Sequence, residues 1–420
     1  MNIISKALKS SLLQNTFFLF LNKGINVIVP IIIIPLCHKF FGIETYGQWV
    51  YVQSALFIFI VIFDYGFNLS APREISLVQH EKTRVESVYS SILFFKLFVA
   101  LLFGIGLSVF LAVSKNPLTL IFTFTYLSLA LQSLIPYWFF QGVKSNIFIL
   151  IINLLSKLIF FIPIYLTDLS KKQIYFIPYL EAISYLITFL LAIVVIRVKF
   201  GCSLKKIDLV DVKKQLIEGK DIFITSLLSW VVISGSVIIV EYFCSKIELG
   251  YFATFTRLGY YLYAIFQPIN HAVFPFVSVK FAESQKAGQS FLRKIEFGYY
   301  ILVVLLITLI IFSSTHFFKF FLSVNFVVGF ADYSLAFVFI CLWIGFLLIN
   351  NFLGIQFLLA SKQDKLYRNL FLINALTTIS GFILLVPFFN SAGAALAMCL
   401  GELSFLICYF ILKPKYILFS

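Results

Sequence analysis

Long apolar stretches separated by short polar turns run along nearly the whole of this 420-residue chain. About twelve of them approach the roughly 20 residues that a helix needs to cross the hydrocarbon core of a bilayer. They fall near 13–36, 47–69, 87–113, 118–140, 146–166, 175–196, 221–243, 250–279, 297–315, 331–359, 369–389 and 391–412. The pattern predicts an all-α, polytopic membrane protein. The longest polar stretch, from Arg197 to Asp221, carries Lys205, Lys206, Lys213, Lys214 and Lys220 and parts the spans into two sets of six. The expected organisation is an N-terminal six-helix lobe at 1–196, a cytoplasmic linker at 197–220 and a C-terminal six-helix lobe at 221–420. Six is even, so both lobes start on the same side and a repeat between them is parallel. Short similarities support one. Gly42-Ile-Glu-Thr-Tyr-Gly-Gln-Trp49 follows the first span and Lys246-Ile-Glu-Leu-Gly-Tyr-Phe252 the seventh, and Asn153 and Pro163 are matched by Asn374 and Pro387.

Composition agrees with the pattern. Hydrophobic residues make up 61% of the chain and charged residues 12%, which excludes a soluble globular domain of this length. The net charge of +14 would suit nucleic acid, but its placement points elsewhere. With the amino terminus inside, about 22 of the Lys and Arg fall in cytoplasmic segments and about 6 in external loops, as the positive-inside rule requires. The basic excess therefore reads as topology, with both termini cytoplasmic. The first span, preceded by Lys6 and Lys9, is too long and too interrupted by Asn and Lys for a removable signal peptide. Six cysteines and four histidines are scattered without C-x-x-C or H-E-x-x-H spacing, so no metal site and no bound cofactor are expected. The external loops are short and hold little beyond Lys39, Glu44, Lys171, Lys172 and Lys319. They could not house a catalytic domain, and no Gly-rich nucleotide loop occurs, so the chain reads as a non-enzyme.

Four basic residues stand inside spans: Lys23, Lys96, Lys157 and Arg257. A cation at a helix centre costs about 2.5 to 3.5 kcal/mol even on insertion scales, so it is expected to face a wet cavity and meet something anionic. Lys96 lies near one end of its span, where snorkelling is an alternative. On the first span Asn15, Asn22 and Asn26 form one polar stripe beside Lys23, and on the fifth Asn146, Asn153 and Lys157 repeat the device. Interhelical hydrogen bonding and cavity lining are the two readings of the asparagines. Beyond Arg257, Tyr260, Tyr261 and Tyr263 lead to a face with Gln267, Asn270 and His271. Those rings could stack on sugars or mark a membrane interface, and Glu241 could neutralise Arg257. The expected substrate cavity thus comprises Lys23, Asn26, Lys96, Asn153, Lys157, Arg257 and Tyr261. Coupling to protons or sodium ions would need an intramembrane carboxylate, and Glu181 and Glu402 are the deepest.

At the cytoplasmic end of the second span stands Asp64-Tyr-Gly-Phe-Asn-Leu-Ser-Ala-Pro-Arg-Glu-Ile-Ser76. With Pro30-x-x-x-x-Pro35 and Gly42-Ile-Glu-Thr-Tyr-Gly47 before it, and Ser391-Ala-Gly-Ala-Ala395 far beyond, this segment resembles the signature of Wzx-type O-antigen and polysaccharide flippases. These belong to the multidrug, oligosaccharidyl-lipid and polysaccharide exporter superfamily. Physically, Gly66 permits a tight bend, and Asn68, Ser70, Arg73 and Glu74 could satisfy exposed backbone and headgroups. Asp64 and Phe67 complete the motif. The resemblance implies two six-helix lobes that open alternately to either side. The implied cargo is an oligosaccharide repeat unit on undecaprenyl diphosphate, moved across the bacterial cytoplasmic membrane without any bond being cleaved. It implies lipids as partners, with a polysaccharide polymerase and glycosyltransferases of the same pathway. A multidrug or other lipid exporter of the superfamily, or a membrane polysaccharide polymerase, are the rival readings.

Overall fold

The computed structural model describes residues 11–205, 208–322, 324–361 and 363–417, with no strand among them. The chain opens with α1 (Ser11–Phe41), α2 (Ile43–Asp64), α3 (Phe67–Val78), α4 (Lys82–Ser114), α5 (Thr119–Leu134) and α6 (Tyr137–Gly142). It continues through α7 (Asn146–Leu166), α8 (Phe176–Lys199), α9 (Leu209–Phe243) and α10 (Lys246–Glu283). Then follow α11 (Gln285–Phe321), α12 (Val324–Phe352), a π-helical stretch at Leu353–Leu359, and α13 (Asp364–Ile417). Helices are the form an apolar span must take, because each satisfies its own backbone polar groups away from water.

Among the described residues, nine helical stretches are long and apolar enough to cross a membrane. The last of these, Lys365–Leu412, holds both of the final two predicted spans. It is interrupted at Asn390, whose φ of 51° and ψ of −133° leave the helical region. α9 and α10 run where the seventh and eighth spans were expected. The side chains of Asn15, Asn270 and His271, named from the sequence, lie outside the described residues. On α4 the large apolar side chains of Leu101, Ile105, Val109 and Val113 recur every four residues and are all exposed. In water such a stripe would drive aggregation; in a bilayer it is the lipid-facing side. The protein is a multi-pass membrane protein.

The chain divides into two compact units. Unit 1 takes the described residues within Met1–Val29 and Trp49–Ser234, and unit 2 takes those within Pro30–Gln48 and Gly235–Ser420. The core of unit 1 is aromatic: Phe67 of α3, Tyr89 of α4, Trp138, Phe139 and Phe140 of α6 and Phe189 of α8 pack together. In unit 2, Phe255 of α10, Phe318 of α11 and Phe330 and Phe337 of α12 form a second aromatic cluster. There too, Gly47 and Gly250 allow two backbones to meet, since a Cβ on Gly47 would lie 2.7 Å from the Gly250 nitrogen. These glycines come from the two similar segments after the first and seventh spans. α1 stays helical through Pro30 and Pro35. In α13 the Gly393, Ala397 and Gly401 face serves packing, with Ala397 against Gly381 and Gly401 against Thr378.

Candidate functional site

In unit 1 the predicted polar stripes meet. Asn22 and Asn26 are one turn apart on α1, and Asn153 and Lys157 are one turn apart on α7. The buried Asn153 amide donates to the Asn22 Oδ1 at 2.7 Å and to the Asn26 Oδ1 at 3.1 Å. The interhelical reading of these asparagines is therefore realised, although Asn26 keeps an exposed side. Lys157 sits over the ring of Tyr185 on α8, with Nζ 5.3 Å from the ring centroid and 3.5 Å from the hydroxyl. A cation on an aromatic face is held by the ring quadrupole. Lys23 is half-buried on α1 beside this stripe. Glu181, one turn before Tyr185, accepts a hydrogen bond from the Ser128 hydroxyl of α5 at 3.1 Å.

Lys96 departs from its expected role. It is only 1% exposed and pairs with Asp64 at 2.7 Å, while also donating to the Ser133 carbonyl at 2.8 Å. Its charge is committed inside unit 1, so it neither snorkels nor stands open to cargo. Asp64 also accepts from Asn68 at 2.7 Å. The pair joins two helix breaks. One is at Tyr65 and Gly66, with φ of 40° and 83°; the other follows Ser133, where Pro136 stands at the N-cap of α6.

The rest of the signature segment binds the polar stretch between the two sets of spans. Glu74 is buried and accepts from Lys214 at 2.7 Å and from Gln215. This ion pair raises the Lys214 ammonium above its ordinary pKa, with the Glu74 hydrogen bond as the main cause. Tyr65 stacks on Phe223 with ring centroids 4.5 Å apart and planes at 13°. A Cβ on Gly219 would lie 2.4 Å from the Tyr65 carbonyl oxygen, so only glycine allows this approach. On α4, Glu86 accepts from the Ser203 amide at 3.0 Å and pairs with Lys205 at 3.2 Å, while Ser87 bonds to Asp211. Of the residues expected to serve backbone and headgroups at this bend, Ser70 bonds the Gly66 carbonyl and Asn68 bonds Asp64, whereas Arg73 stays exposed. Phe67 is fully buried in the core.

In unit 2, the Arg257 guanidinium of α10 lies near the buried Tyr46 hydroxyl, with Tyr261 and Cys37 close by. The charged neighbour of Glu241 is Lys246. Deeper in the unit, Glu402 is buried on α13 with amides around it. Asn350 of α12 donates to the Glu402 carboxylate at 2.6 Å and to the Glu402 backbone carbonyl at 2.8 Å, and Asn374 adds a further side-chain hydrogen bond. A carboxylate met by amides rather than by a cation can accept a proton or a hard cation without first breaking an ion pair. Sequence reasoning missed Tyr46, Tyr185 and Asn350 as partners. Tyr46 lies inside a quoted segment and Tyr185 follows Glu181 by one turn, which were the available signals. Glu248 was also missed: its carboxylate accepts from the Ser391 amide at 3.0 Å and from the Ser391 hydroxyl, capping the helix that restarts after Asn390.

A family model described as polysaccharide biosynthesis protein matches residues 12–281. Two relatives, from Escherichia coli (strain K12) and Shigella dysenteriae, carry the name "Putative O-antigen transporter". The first is 22% identical over 404 residues, 94% of each chain. The second is 24% identical over 266 residues, 63% of this chain and 67% of its own. Among solved structures, the lipid II flippase MurJ in an inward closed conformation aligns with a TM-score of 0.70 at 16% identity, over 95% of this chain and 87% of that one. An inward-facing multidrug resistance MATE family transporter of the MOP superfamily aligns with a TM-score of 0.69 at 10% identity, over 94% of both. At such identities the likeness is one of fold, whereas the family match spans well over half of the sequence: the chain belongs to the polysaccharide biosynthesis protein family.

Proposed function

We propose that this protein is a flippase that carries undecaprenyl-diphosphate-linked oligosaccharide repeat units, of O-antigen or a related polysaccharide, across the bacterial cytoplasmic membrane by alternating access. The observation that carries this reading is family membership together with a match, over 94% of the chain, to a relative named as an O-antigen transporter. The chemistry supports it. Desolvating a diphosphate in hydrocarbon is prohibitive without cationic partners, and Lys23, Lys157 and Arg257 place basic groups within apolar helices of both units. A drug exporter of the same fold would favour cationic cargo, which these residues oppose. Both termini are then cytoplasmic, and the polymerase and glycosyltransferases of the pathway are the working partners. Glu402 is the proposed coupling group, taking a proton or a sodium ion. The test is a deletion strain of the native host, scored for the leaflet position of lipid-linked oligosaccharide and for surface polymer. Complete repeat units held on the cytoplasmic leaflet with surface polymer lost are the expected result. Units that reach the outer leaflet but stay unpolymerised would sink the flippase reading.

A further inference from the structure

Unit 2 contains an apolar cavity of about 330 Å³ bounded by α10, α11 and α12 and by Ile31 of α1. Its wall is built largely from Phe255, Phe317, Phe318 and Phe337, with Ile307 and Ile344 between the rings. Phe255 and Phe318 are fully buried, whereas Phe317 and Ile265 are exposed and mark the mouth. One edge is different in kind. Tyr261 lines the cavity, and it stands one helical turn from Arg257, with Tyr46 near both. A hydrocarbon slot edged by one tyrosine therefore lies one helical turn from a guanidinium. That combination complements an amphiphile with an anionic head and an apolar tail, whereas a sugar alone would leave the slot empty.

We propose that this cavity seats a segment of the polyprenyl tail of a lipid phosphate, with Arg257 and Tyr261 directed at its head. The inference rests on the flippase reading above and gives the cargo's tail a place in the protein. Two features favour a prenyl chain over a straight acyl chain. The trisubstituted double bonds of a polyprenol are flat and pack against aromatic faces. Its branching methyl groups fill the recesses that Ile side chains leave between rings, where close packing sets the energy. The volume lies at the lower end of the roughly 300–1,000 Å³ of small-molecule pockets, so it holds a segment of the tail and leaves the remainder in lipid.

Purified wild-type protein is mixed in detergent with undecaprenyl phosphate or with dioleoyl phosphatidic acid, and the bound lipid is counted by native mass spectrometry. Both probes carry a phosphomonoester and differ in the tail. The expected result is at least tenfold more undecaprenyl phosphate retained. Ile310→Trp, which fills the cavity from α11, should bring the ratio close to one, while Leu101→Trp on the lipid-facing side of α4 should leave it unchanged. Ser314→Leu, a smaller intrusion, should lower the ratio in part and serves if Ile310→Trp does not fold. Equal retention of both lipids by the wild type, or of neither, would overturn the proposal, as would a ratio that survives both cavity variants. Those outcomes leave the flippase reading standing, because that reading is judged by the leaflet position of the oligosaccharide.

Discussion

Lys96 and Lys157 are both basic residues in apolar helices, and their surroundings assign them different work. Lys96 has a carboxylate 2.7 Å away and is almost wholly buried. Removing one partner of a buried ion pair strands the other charge, at a cost of about 3–5 kcal/mol; Asp64 is 21% exposed, which places the cost at the lower end. Lys96→Met should therefore lower the thermal unfolding midpoint of the purified protein by many degrees, and the double variant Asp64→Asn with Lys96→Met should recover most of the loss. A midpoint unchanged in Lys96→Met would show that the pair is not holding the two helix breaks. Lys157 instead rests on a tyrosine ring, an interaction worth about 0.5–2 kcal/mol. Lys157→Ala should leave the protein at normal abundance and nearly normal stability while surface polysaccharide is lost. Retained export would remove Lys157 from the transport path. Spacing alone made both lysines legible as intramembrane charges. It could not pair Lys96 with a carboxylate 32 residues earlier, because that pairing depends on how α2 and α4 pack.

At the scale of elements, the signature segment around Gly66 is a clasp for the start of α9. Backbone contact at Gly66 and Gly219, the Tyr65–Phe223 stack and the Glu74–Lys214 pair all hold neighbouring turns of that helix against the rest of unit 1. The salt bridge is largely exposed on the lysine side and contributes little by itself; the glycine contact leaves no room and governs the fit. Gly219→Ala would force a Cβ into the Tyr65 carbonyl, and overpacking of this kind costs about 1–3 kcal/mol. Faster amide hydrogen exchange across 208–220, with α5 unchanged, is the expected result. Unaltered protection there would mean that the clasp tolerates the methyl group and that the motif serves another purpose. The sequence showed the elements well where length and apolarity decide them. The predicted break between 389 and 391 falls at Asn390, for instance. It showed this clasp poorly, since Glu74 and Gln215 are 141 residues apart and the Arg197–Asp221 stretch read only as a polar linker.

At the scale of the whole molecule, basic groups and carboxylates are distributed unequally, and this bears on coupling. Polar stripes announced most of the intramembrane groups in the sequence, but their partners, Tyr185, Tyr46 and Asn350, emerge only from helix packing. Packing also separates the two carboxylates that sequence depth had ranked together. Glu402 is buried among amide donors, whereas Glu181 is half-buried with a hydroxyl as its described donor. A proton or sodium ion binding at Glu402 changes the net charge of a buried site, and so can shift a conformational equilibrium by the difference in its affinity for two states. Glu402→Gln keeps the shape and an acceptor for Asn350 while removing that charge. In proteoliposomes with an imposed proton or sodium gradient, wild-type translocation of lipid-linked oligosaccharide should follow one of the gradients. Glu402→Gln should become insensitive to it, and Glu181→Gln should keep the dependence. Gradient-driven translocation that persists in Glu402→Gln would place the coupling elsewhere. Loss in Glu181→Gln alone would move it to unit 1, where the basic residues Lys23 and Lys157 would then share their helices with the coupling carboxylate.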